Sequence, residues 1–458
     1  MLFGYLFLWF AIGTVGNAAT LLDTKELDKF DPSNIHVVLV SAIACSEEHA
    51  KFGCTLVYAV EADLAHTYHL LIKKGIPSQN IIVFFTDSSH YANYSQPLNS
   101  LYNDLNFTKN WRPGLRVDYT ARDVTSDNFL AVVQGNETAL NCTSCTRRVL
   151  KTTKDDHIFI YHEGHGGPGF LVYPYSTDVL TAKSLHSALM SMQSNKKFNQ
   201  LLINIMACHS GSMLKSFLSK NGRILGITAA RPNENAWAKD CIMVNGSYDF
   251  CLNSEMGLAF NVDDTRGDPQ HETLEVQYEN VHKMVTKSHV MKYGSAAIPT
   301  ELIAVFEGPN KISFDPTKQK TMIGITKQEP LPIAPIASYL LLKRRLARAT
   351  SMEEAGRLQR LLMTMEKERK TIQKMTAKMV KRLIKTSKRE VQRKIINSPL
   401  HEITAVDCHH DVITAFVREC PQFAGSPFVD QFTVPLVNLC EFGINSKKLN
   451  LRMKEHCN

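Results

Sequence analysis

The chain lacks an apolar run long enough to cross a bilayer. The longest, in MLFGYLFLWFAIGTVGNAAT at the start, falls short of the roughly 20 consecutive apolar residues that a helical span needs, and no membrane tether follows residue 20. A zinc-binding HExxH helix is also missing. His162-Glu163-Gly164-His165 is one residue short of that spacing and falls on a strand and turn, so no metal site is expected. No cofactor is implied. The cysteine count, 11, is odd, so complete pairing is excluded. Composition adds little, because 44% hydrophobic and 21% charged residues are ordinary for a soluble globular protein and select no function.

The opening apolar stretch has no basic residue ahead of it but ends in small residues near Gly16–Ala19, which suits a signal peptide over residues 1–20 cut before Leu21. Sequons at Asn93, Asn106, Asn136, Asn141 and Asn245 fit passage through the secretory route as glycosylation sites. Cysteines in that compartment mostly pair. Cys408, Cys420, Cys440 and Cys457 cluster as a two-disulfide unit, while Cys45 with Cys54, Cys142 with Cys145, and Cys241 with Cys251 are near enough for local loops. Cys142-Thr-Ser-Cys145 also reads as a redox motif. Cys208 is left over.

Short β-rich runs at Ile35–Val40, Ile81–Phe85, His157–Tyr161, Leu201–Met206 and Ile224–Ala229 alternate with helical patterns at Tyr58–Lys74 and Thr181–Met192. This predicts an α/β domain over residues 30–308 with a mostly parallel sheet flanked by helices. Residues 309–337 carry several prolines and little periodicity, and read as a linker or activation segment. From 338 to 458 the pattern is helical. Lys343–Lys394 holds 18 Lys+Arg against 5 Asp+Glu, so with +8 overall the rest of the chain is near −5. Three readings stand: a solvated helix face, an anionic-membrane or nucleic-acid surface, or a segment lying on the chain's own acidic domain and loosened as carboxylates protonate.

Two strand ends carry the chemistry. His165 closes HIFIYHEGH and is followed by Gly166 and Gly167, and Cys208 follows LLINIMA. Reacting groups gather at the carboxyl ends of parallel strands, so neighbouring strands would bring His165 and Cys208 together. Ser210-Gly211-Ser212 suits a helix start whose N–H groups favour a thiolate. The Gly166 and Cys208 N–H groups would form an oxyanion hole. Arg266-Gly267-Asp268 matches an integrin-type tripeptide of the kind that recurs by chance.

These residues resemble the legumain family. The His-Gly and ACHSGSM motifs carry the likeness together with GIPSQNIIVFF, DYTARDVTSDNFLAVVQGN, ITAARP, SHVMKYG and the run Cys408–Cys457, over about residues 33–458. The catalytic subunit of the lipid-anchor transamidase also shares Gly-His-Gly-Gly but lacks such a C-terminal segment. The resemblance implies a caspase-like fold, a Cys–His endopeptidase, and a C-terminal prodomain acting as intramolecular inhibitor, with disulfides Cys408–Cys440 and Cys420–Cys457. It implies protein or peptide substrates, no nucleic acid partner, and a lysosomal, vacuolar or secreted location. The sequence departs from the family where side-chain preference is built. Val57, Ala59 and Val60 replace an Asn-x-Arg-His stretch, Met206 replaces an acid, Gly164 replaces the Asp before the histidine, and Asn235, Ala236 and Trp237 replace Ser-Ser-Tyr. Asp249 keeps the remaining acidic position, and Arg348 takes the place of the self-cleavage asparagine. Strict asparagine preference is therefore not expected, and an inactive homologue that binds peptides is the alternative reading.

Overall fold

A computed structural model describes residues 31–43, 55–87, 100–174, 177–244, 248–312, 325–384, 389–398 and 402–457. The signal segment, Cys45, Cys54, Asn93, Asn245 and the Asp249 side chain lie outside the described residues.

Unbroken apolar runs make strands that are buried on both faces, the environment of a parallel sheet. β1 (Ile35–Ala42), β2 (Ile81–Phe85), β3 (Tyr119–Thr120), β4 (His157–Gly167), β7 (Gln200–Met206) and β8 (Ile224–Thr228) run parallel in the order β8-β7-β4-β1-β2-β3. At its edge, β11 (Met291–Gly294) runs antiparallel to β8. β5 (Phe170–Val172) and β6 (Val179–Thr181) extend the tip of β4 as an antiparallel ribbon. The crossovers include helices α1 (Thr55–Lys73), α2 (Ser126–Val133) and α3 (Ala182–Ser194). The α/β expectation holds, with one shift: α1 begins at Thr55, so Val57, Ala59 and Val60 sit within its first turns.

A second antiparallel sheet forms from β9 (Trp237–Val244) and β10 (Tyr248–Ser254), tied by the cross-strand disulfide Cys241–Cys251. Helices α4 (Glu255–Arg266), α5 (Leu274–Met284) and α6 (Ala304–Glu307) follow. The stretch expected to be a linker is ordered where it is described. Ile325–Lys327 (β12) and Leu331–Pro332 (β13) both pair antiparallel with β9. Its prolines prevent a helix, and an extended chain satisfies its remaining N–H groups on the free edge of β9.

Beyond it lie α7 (Ile336–Arg348), α8 (Met352–Leu383), α9 (Arg389–Asn397), α10 (Val406–Glu419), α11 (Pro421–Ala424), α12 (Asp430–Glu441) and α13 (Ser446–Cys457). Disulfides Cys408–Cys440 and Cys420–Cys457 staple α10 to α12 and to α13. Their core takes in Phe170, with Val172 and Val179 of the ribbon packed against it. Asn106, Asn136 and Asn141 are exposed, and Cys142–Cys145 form a disulfide.

Lys74, just past α1, is 1% exposed and its ammonium contacts Asp264 of α4 and Glu307 of α6, the latter at 2.8 Å. Gln277 of α5 donates to both carboxylates. Lys74→Met leaves two buried carboxylates without a counter-charge, which costs about 3–5 kcal/mol. Urea denaturation should show that loss, and a change under about 1 kcal/mol would contradict the cluster's role.

Candidate active site

Strands β4 and β7 are parallel neighbours in the register His157↔Gln200 to Glu163↔Met206, so His165 and Cys208 leave adjacent tips of the sheet. Successive side chains alternate faces. Tyr161, Glu163 and His165 therefore share one face, and Met206 and Cys208 share the same face on the next strand. His162 points the other way, edge-on to Phe129 and Tyr173.

The loop after Cys208 is pinned by its backbone. His209 is left-handed at φ 55° and its N–H donates to Glu234 O, while Gly211 N–H donates to Ala230 O. Ser210–Met213 is a single 3-10 turn, not the α-helix start expected there. Side chains on both sides hold the turn: Ser210 Oγ accepts from Ala230 N–H, and Ser212 Oγ accepts from Gly169 N–H while donating to His209 O. Help for a thiolate from a helix dipole therefore drops out, since that effect needs a real helix. Gly166 is required by space, because a Cβ there would meet Cys208 O at 2.3 Å.

Both side chains converge on one atom. The Cys208 thiol and His165 Nδ1 each donate to Ile333 O at 3.1 Å, and the thiol also lies 3.6 Å from Ala236 O. Ile333 N–H donates to Ala236 O at 2.8 Å, directly continuing the pairing Leu331↔Ala238 and Pro332↔Trp237. The 325–333 stretch thus lies as an added strand along β9, with Ile333 over the two strand tips. Cys208 is fully buried beneath it and is the free cysteine among the described residues.

Burial pushes the Cys208 thiol far above its usual range, with Asp430 of α12 adding in the same direction. Burial also lowers the His165 imidazole, partly offset by its bond to Ile333 O. Both shifts favour the uncharged pair. A thiol and a neutral imidazole under a dry cover do not form a thiolate.

The other expected residues differ in burial. Val57, Ala59, Val60, Met206 and Ala236 are buried at 0–2% exposure, while Asn235 and Trp237 are half-buried. Neither Glu163, named from the sequence only in the rejected zinc spacing, nor Ile333 was expected at this site. Glu163 lies beside Met206, accepts the Tyr161 hydroxyl at 2.6 Å, and has its carboxyl pushed up to about 8 by burial. The two-residue spacing from His165 carried that signal, but its neighbour Met206 follows only from strand order.

The sequence model of the peptidase C13 family matches residues 53–309, more than half of the chain. The chain belongs to the peptidase C13 family. These are cysteine endopeptidases, and two curated relatives show the extent of the likeness. Rat (Rattus norvegicus) legumain is 30% identical over 415 residues, covering 87% of this chain and 89% of its own. The delta-isozyme of vacuolar-processing enzyme from Arabidopsis thaliana is 26% identical over 458 residues, covering 95% and 94%. A distant structural likeness, TM-score 0.36 at 11% identity over 62% of this chain and 95% of the other, is to caspase-1 from Spodoptera frugiperda.

A covered thiol should be inert. In the intact C13 chain at neutral pH, iodoacetamide should modify Cys208 slowly. Leu331→Gly removes burial worth about 1.5–3 kcal/mol and should speed that modification about tenfold or more. Equal rates, read by intact mass, would show that β13 does not cover the sulfur.

Proposed function

We propose that the chain is the precursor of a cysteine endopeptidase of the secretory and lysosomal or vacuolar route, held silent by its own C-terminal part. Residues 30–308 form the peptidase domain, 309–337 the blocking segment and 338–458 the helical prodomain. The observation that carries this reading is the shared hydrogen bonding of Cys208 and His165 to the carbonyl oxygen of a strand added to β9.

With the cleft open and wet, His165 takes the thiol proton and Cys208 sulfur attacks the substrate carbonyl carbon. The Gly166 and Cys208 N–H groups hold the oxyanion, and His165 returns the proton to the leaving amine and then activates water. Substrate takes the place of the 325–333 strand and keeps its antiparallel pairing with β9. The walls Ala59, Val60, Met206, Asn235, Ala236 and Trp237 surround the side chain before the cut, with Asp249 on β10 nearby in sequence order. The binding-protein alternative draws on the loss of charged residues from those walls, and it requires that Cys208 have no turnover.

Opening is coupled to pH through the ribbon at the tip of β4. His409 of α10 is 2% exposed, donates to Pro168 O at 2.7 Å and packs on Gly169, while His410 Nδ1 and Thr181 Oγ1 are 2.7 Å apart. Burial pushes the His409 imidazole down to about 4, with His410 adding to the fall and Glu441 opposing it. A group whose pKa is depressed in the docked state contributes docking free energy above its free pKa near 6.5 and loses it as pH falls towards 4. The loss is on the order of 3 kcal/mol. The buried Asp430 carboxyl, pushed up, partly offsets it by favouring docking in acid.

Acid-exposed wild type should hydrolyse a peptide mixture that Cys208→Ala leaves intact, and identical profiles would end the peptidase reading. His409→Gln should move the midpoint for opening, followed by tryptophan fluorescence, about one pH unit lower. An unmoved midpoint would remove His409 from the release step.

A further inference from the structure

The residue before the attacked bond can be read from its contacts. In any thiol peptidase the attacked carbonyl belongs to that residue, and in this chain the carbonyl lying between Cys208 and His165 is that of Ile333. Its N–H is fixed to Ala236 O at 2.8 Å, and Leu331 and Pro332 before it pair with Ala238 and Trp237. Ala334 lies across the bond. The segment therefore follows the direction of a substrate, with the Ile333 side chain at the specificity position, where it is 1% exposed.

The residues that hydrogen bonding and register bring to this position are apolar: Ala236 accepts the Ile333 N–H, and Met206 lies two residues before Cys208 on the same face of β7, both of them buried. We propose that this pocket takes a branched aliphatic side chain, and that the substrates are peptides carrying isoleucine or valine immediately before the cut, with Leu-Pro-Ile-Ala of the chain itself as the template. The inference rests on the peptidase reading above and names its substrate class.

An asparagine, aspartate or arginine side chain at this position would leave water for a place that, in this chain, a fully covered isoleucine fills. Polar groups buried without partners are unfavourable, whereas an aliphatic side chain gains from the same burial. Glu163, on the same sheet face as His165, already accepts the Tyr161 hydroxyl, and burial keeps its carboxyl protonated below about 8. It presents no fixed charge to a basic side chain in acid. Cleavage at Ile333–Ala334 would form a thioester between Cys208 sulfur and the Ile333 carbonyl carbon. The Ala334 amine leaves with the proton carried by His165, and one water then hydrolyses the thioester.

The test uses the full chain carrying Leu331→Gly, assayed with peptides Leu-Pro-X-Ala where X is Ile, Val, Asn, Asp or Arg, beside the same chain carrying Cys208→Ala. Isoleucine and valine should exceed Asn, Asp and Arg at least about tenfold in kcat/KM, and Met206→Glu should reverse the order of Ile and Arg. Because Leu331→Gly could unfold the chain, unaltered protein exposed to acid is labelled in parallel with peptidyl ketones bearing Ile, Asn or Arg, and Cys208 adducts are counted by mass. Cys208-dependent turnover as fast with Asn or Arg as with Ile would overturn the aliphatic pocket and leave the peptidase reading standing. No Cys208-dependent turnover or labelling with any peptide would overturn both.

Discussion

One carbonyl oxygen organises the molecule. Ile333 O accepts from the Cys208 thiol and the His165 ring, and it can do so only because β4 and β7 are parallel neighbours whose tips end side by side. The same carbonyl is held in place because β9 offers a free edge and the 325–333 stretch cannot be helical. Its position keeps water from the sulfur and leaves both titratable groups uncharged. The thiol, the imidazole and the added strand thus meet at one point.

The basic run divides in two: Arg344 and Arg348 of α7 donate to Glu329 O, Pro330 O and Gln328 Oε1 of the added strand, while Lys367, Lys370, Lys374, Lys378 and Lys381 of α8 face solvent. The ion pairs Lys183–Asp407 and Lys215–Glu402 place the carboxylate on the helical side and the lysine on the other. Both are substantially exposed, and exposed pairs contribute about 0–1 kcal/mol. Apolar packing of Phe170, Val172 and Val179 into the helical core, and the buried bond from His409 to Pro168 O, join the two regions.

Much of the sheet was legible because parallel strands buried on both faces must be apolar throughout. The runs at Ile81–Phe85 and Leu201–Met206 show this, since they coincide with β2 and β7 almost to the residue. Cys208 stood out by cysteine arithmetic and His165 by its glycines. What stayed hidden depended on contacts between distant segments. Pro330-Leu331-Pro332 reads as a linker by composition, and only the free edge of β9 makes it a strand. Glu163 became a neighbour of Met206 only through register, and His409 acquired its burial from Pro168 and Gly169 on another element. The 3-10 turn after Cys208 was misjudged for the same reason: Ala230 and Glu234, more than twenty residues on, take up the N–H groups that a helix start would have left free.

The most direct measurement is hydrogen exchange of the Ile333 amide in the intact chain. If its N–H is bonded to Ala236 O over a covered sulfur, it should be protected at neutral pH, as the core of β9 is, and lose protection as the pH falls below about 6. Exchange at the rate of an unstructured peptide at pH 7 would mean that the strand does not occupy the cleft and that the thiol is silenced by something else.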